Sequence, residues 1–143
     1  MAAFRLESVL KYRRMQKDTA RQKLGEVLQA ESDLLDRLAG EQQELKQLHH
    51  DQEDLKQNGI TAHELELYEN RCRHKKDCLA VLEEKLIAVR DEVIVRRQAL
   101  MEASKEEKIL EKLKERQAKE EEREARRKEN AQADEIAGRF HGR

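Results

Sequence analysis

The chain has 143 residues, of which 43% are charged, 3% are aromatic and none is proline or tryptophan. Too few large apolar side chains are present for an ordinary compact globule, whose core must offset its conformational entropy. The 30 basic and 31 acidic residues nearly cancel, which argues against a general nucleic-acid or membrane-surface binder.

Composition alone leaves a disordered chain or a long charged helix, and periodicity decides between them. From the N-terminus, Leu6, Leu10, Arg13, Lys17 and Ala20 lead into Leu24, Val27, Glu31, Leu34, Leu38, Glu41, Leu45, Leu48, Gln52 and Leu55. This spacing alternates threes and fours without interruption, the mark of a helix that keeps one stripe on a partner. It predicts a first helix over about residues 4–56, ~80 Å long at 1.5 Å per residue.

Asn58-Gly59 suits a left-handed helix end, and Thr61 with Glu64 has capping-box spacing, so a turn is expected over residues 57–61. The second helix is expected over about 62–137. Its seam runs through Leu65, Tyr68, Cys72, Lys75, Leu79, Leu82, Leu86, Val89, Val93, Arg96, Leu100, Ala103 and Leu110. Facing Leu55 with Leu65 sets Leu48 opposite Cys72, Leu38 opposite Leu82, Leu10 opposite Leu110 and Arg13 opposite Glu107. Of the 27 residues from 104 to 130, 19 are charged. That stretch is an overhang sustained by pairs four residues apart. Gly138 opens a tail, 138–143, read as flexible. The fold class is therefore all-α: an antiparallel two-stranded coiled-coil hairpin with a longer, C-terminally overhanging second helix, a single domain over 1–143.

No catalytic constellation is visible, and no glycine-rich phosphate loop; the chain is read as no enzyme and as needing no cofactor. Cys72, His74 and Cys78 are the nearest approach to a metal site, but paired-ligand spacing is lacking, so no metal is expected. The two cysteines form no disulfide framework. No apolar run reaches the ~18–20 residues of a membrane span, and the start of the chain is unlike a signal peptide. A cytoplasmic protein with reduced thiols is expected.

Three features resemble binding surfaces. Residues 1–23 carry seven basic against two acidic residues, and residues 26–57 three basic against nine acidic. A second apolar stripe, Ala80, Val81, Ile87, Ala88, Ile94, Val95 and Met101, lies away from the seam, where a two-stranded coiled coil meets water. A basic cluster, Asn70, Arg71, Arg73, Lys75 and Lys76, follows Tyr68 just after the turn.

Taken in order, these features resemble the flagellar FliJ family. The resemblance rests on Phe4-x-Leu6-x-x-Val9-Leu10-x-x-Arg13, Asp18, Ala20, Leu24, Gly59-Ile60 and Tyr68. It continues through Arg97-x-x-Leu100-x-x-Ala103, residues Leu110 to Arg116, and Asp134-Glu135-Ile136-Ala137. It implies a stalk of the flagellar type III export apparatus. That stalk binds a hexameric export ATPase, promotes ring assembly, couples the ring to a membrane export gate and escorts export chaperones. The corresponding location is cytoplasmic and peripheral to the inner membrane, with no direct membrane insertion and no nucleic acid. On this reading Arg5, Arg13, Arg14, Lys17 and Arg21 face the ATPase. The gate or partner surface uses Arg71, Lys75 and Cys78, a more basic set than the aromatic and aliphatic residues the family resemblance implies there, together with Ile87, Ile94 and Met101 of the apolar stripe. Alternatives are the equivalent stalk of a virulence injectisome, or a structural spacer or homodimer without an ATPase.

Overall fold

The structure is a computed structural model that describes residues 3–142. It contains two long helices packed against each other, α1 (Glu7–Asn58) and α2 (Ala62–His141), and no strand among the described residues. The fold is the expected helical hairpin.

The reversal is built as its residues dictate. Gly59 has φ 94°, a conformation open to glycine at little steric cost. Thr61 Oγ accepts the Glu64 backbone N–H at 3.2 Å and its carbonyl accepts the Leu65 N–H at 3.0 Å. A threonine oxygen thereby satisfies one of the orphan donors that open α2.

Packing divides the chain into two units. The unit Ala20–Ala99 contains the turn. Every seam position in it, from Ala20 to Leu55 and from Leu65 to Arg96, is buried or half-buried. Leu48, Cys72, Leu82, Leu86 and Val93 form its most buried apolar set, joined by Gln52. The other unit pairs Met1–Thr19 with Leu100–Arg143. Leu10 is its anchor, with 0% of its surface exposed, and Glu107 is buried on the facing helix. Beyond Glu121 the described residues of α2 are exposed on every side. There the helix carries pairs such as Glu122–Arg126 at 2.9 Å and Glu135–Arg139 at 3.4 Å.

Three expectations shift. Helix α1 begins at Glu7, not at residue 4, because Phe4–Leu6 form a turn whose Phe4 carbonyl takes the Glu7 N–H at 3.1 Å. Gly138 does not end α2, which runs to His141; the Gly142 N–H still reaches the Gly138 carbonyl at 3.0 Å. Glycine lowers helix stability by only ~1 kcal/mol and does not by itself stop a helix. Of the expected flexible tail, Arg143 lies outside the described residues, as do Met1 and Ala2 of the N-terminus. Arg13 pairs with Glu106, and Glu107 is taken instead by Lys17 at 3.1 Å. Long cationic side chains reach along the edge of the seam rather than straight across it.

Two substitutions separate backbone from packing. Gly59→Ala strains the left-handed turn and should lower stability by about 1 kcal/mol. Leu10→Ala should lower it by about 2–5 kcal/mol through a cavity, while Leu67→Ala, at a half-exposed side chain, should change it by less than about 0.5 kcal/mol. Urea denaturation followed by circular dichroism measures all three.

Candidate partner-binding surfaces

The basic start of α1 is largely occupied by the hairpin itself. Within its unit, Arg13 donates to Glu106, Arg14 lies 3.6 Å from Glu111, and Lys17 lies 3.1 Å from Glu107. Glu7 meets Lys114 at 2.9 Å. Of the expected ATPase-facing residues in that unit, only Arg5 has no ion-pair partner among the described residues. Arg21 belongs to the other unit, where it too is exposed and unpaired among the described residues. Three of the seven cations in the first 23 residues are thus paired with carboxylates from α2.

Near the turn, Lys75 is not a surface cation. Its ammonium donates to Glu41 at 2.8 Å and also to Glu44. Those two hydrogen bonds, more than the opposing desolvation, raise its pKa above the ordinary lysine value. Arg71 remains exposed, its guanidinium over the Tyr68 ring at 5.6 Å, a cation–π distance. Two open grooves flank His74. One, of about 320 Å³, has Leu48 and Leu67 among its lining with Asn70, Arg71 and Lys75. The other, of about 280 Å³, is lined by Arg37, Glu41, Asp77, Cys78, Val81, Leu82 and Lys85 as well as His74. Cys78 is a half-buried free thiol whose Sγ lies 3.6 Å from His74 Nε2.

On the outer face of α2 in the same unit, Ile87 and Ile94 are 63% and 67% exposed, with Val81 and Val95 beside them. Met101 is also exposed but belongs to the other unit. Among the described residues no group of three or more His, Cys, Asp or Glu side chains is placed to hold a metal ion. No helix there is long and apolar enough to cross a membrane.

A family model described as Flagellar FliJ protein matches residues 1–143. The chain belongs to the flagellar FliJ family. Searches of curated proteins and of solved structures gave no match. Membership makes this FliJ-family chain a protein associated with flagellar type III export, in a family whose role is non-enzymatic.

For a FliJ-family chain the residues flagged in the sequence separate into two groups. Arg71, Cys78, Ile87 and Ile94 belong to one unit and keep at least part of their surface open, but at about 100° per residue Arg71 and Cys78 lie on the opposite flank of α2 from Ile87 and Ile94. Lys75, Arg13, Arg14 and Lys17 serve the hairpin through ion pairs. Leu67, half-exposed and lining the groove beside Arg71, was not singled out from the sequence. Its signal was a place 14 residues, two heptads, before Val81 of the outer stripe. Val9, Tyr12 and Met15, exposed on α1, were missed likewise.

The ion pairs set a pH dependence. The Glu7 carboxyl is held below its ordinary value chiefly by the Lys114 hydrogen bond. For Glu107 desolvation opposes ionisation, but Lys17, Glu111 and Arg14 outweigh it, and its pKa is also lowered. A lowered folded-state pKa adds stability that is fully present above the unfolded value, near 4.5, and is lost as pH falls through the folded value. The thermal midpoint should therefore drop as pH falls below about 4.5, and Glu107→Gln should flatten part of that drop. An unchanged slope in a pH series of thermal melts would remove Glu107 from this account.

Proposed function

We propose that the chain is a central stalk of the flagellar export apparatus. It binds the hexameric export ATPase, promotes assembly of the ring and couples it to the membrane export gate, and it escorts export chaperones. Such a protein works in the cytoplasm at the inner membrane without inserting into it. The observation that carries this reading is a two-helix coiled coil, spanning a whole-chain family match, whose second helix continues as an exposed single helix past its partner. A closed seam gives a stiff element, and an uncovered helix offers surface to a ring of subunits.

In this proposal Arg5, Arg13, Arg14, Lys17 and Arg21 meet the ATPase. Carboxylates on the ring compete with Glu106, Glu107 and Glu111 for three of these cations. Exchange of one set of ion pairs for another leaves a modest net affinity that weakens with salt. The flank of α2 with Arg71 and Cys78, near the turn, meets the gate, and the outer stripe with Ile87 and Ile94 further along the helix shares that contact.

The test is addition of the chain to its cognate ATPase, with sedimentation and phosphate release measured together. A stalk shifts the ATPase toward the hexamer and raises its turnover, and Arg5→Glu with Arg14→Glu weakens both effects. No change in assembly or turnover would defeat the proposal and leave a spacer or homodimer, which sedimentation of the chain alone distinguishes.

A further inference from the structure

The exposed stripe on α2 is not uniformly apolar. At about 100° per residue, Asp77, Glu84 and Asp91 share one line along the helix, on the side directly away from the seam. Ile87 and Ile94 form one shoulder of that line, and Val81 and Val95 the other, each about 40–60° round from it. All seven side chains are exposed, and the three carboxylates have no ion-pair or hydrogen-bond partner among the described residues. Arg73, one turn before Asp77, and the adjacent Lys76 are exposed and make no ion pair with it among the described residues, and the cations farther along do not neutralise the line. Arg90 reaches Glu31 at 3.8 Å and Arg96 reaches Glu92 at 3.5 Å. Lys85 and Arg97 stand about 100° from the line.

We infer that this face docks a helix of another protein that presents Lys or Arg at seven-residue intervals between apolar shoulders. The acidic line discriminates among occupants. Parallel self-pairing of the stripe would set each carboxylate beside its own copy. The antiparallel register that sets Ile87 against Asp91 also sets Ile94 against Glu84 and buries carboxylates without a counter-charge, and the register that sets Ile87 against Ile94 has to draw Arg90 off Glu31 to meet Asp91. An anionic lipid surface would be repelled by the same line. A basic amphipathic helix buries the shoulders and neutralises the acids together. The inference concerns the stripe that the stalk reading gives to the gate, and its test needs neither the ATPase nor the gate, so the two readings fail separately.

The probe is a synthetic helical peptide with Lys at every seventh position between Leu and Ala shoulders. Its twin carries Glu at the Lys positions. Fluorescence anisotropy with the full chain should show the Lys peptide binding at least ~tenfold more tightly at low ionic strength, an advantage that shrinks as salt is added. The double variant Glu84→Lys/Asp91→Lys, with its helical content verified by circular dichroism, should reverse the preference. Ile87→Ser/Ile94→Ser should weaken the Lys peptide as well. Equal binding of both peptides, or an unreversed preference in the charge variant, overturns the inference. So does binding of the chain to phosphatidylglycerol vesicles through this face, or a dimer of the chain that Ile87→Ser/Ile94→Ser dissociates.

Discussion

A helix in a two-stranded pair has one line of contact, and each side chain on that line must return to the partner every 3.5 residues on average. The alternating threes and fours of the seam meet this condition through the turn-containing unit without an insertion, from Ala20 to Leu55 and from Leu65 to Arg96. Because the register never slips, the opposite face of each helix is also regular. The acidic line and its apolar shoulders on α2 are as periodic as the seam. They inherit their order from it.

Polar residues inside the seam are held by partners rather than hidden. Lys75 sits among apolar layers only because Glu41 and Glu44 neutralise it, and Glu107 is buried beside the ammonium of Lys17. A buried ion pair adds little net stability compared with a leucine layer, but removal of one partner leaves an uncompensated charge. Such layers discriminate against shifted pairings, in which Lys75 would lose its carboxylates. Together with Gly59, they define which residues of α1 and α2 face each other in that unit.

The seam, the turn at Gly59 and the cap at Thr61 were legible in the sequence because each depends on local spacing and one residue type. The outer apolar stripe was legible for the same reason. The fate of the cations was not. Lys75 looks like a surface charge until the opposite helix places two glutamates within its reach, and Arg14 reads as available until Glu111 stands 3.6 Å away. Ion pairs between helices depend on side-chain reach across a register, which a single strand of sequence does not carry. Leu67 extends the line of Val81, Ala88 and Val95 backward by two heptads, but His74 interrupts it. The end of α2 was misread at Gly138, where a glycine that permits a turn was taken as a glycine that requires one.

Beyond Glu121 the described residues of α2 are all exposed and are held by pairs four residues apart, such as Glu122–Arg126 and Glu135–Arg139, worth ~0.2–0.5 kcal/mol each. An isolated helix of that length would be marginal in water, since starting the first turn is costly. Here the first turn is supplied by the paired part of the same helix, so the end grows by propagation alone. Its helical length is then set by temperature and salt rather than by a cooperative unfolding event. Backbone amide protection should decline gradually toward His141 instead of falling at one step. A partner that covers this end would be read by the chain as an increase in helix length.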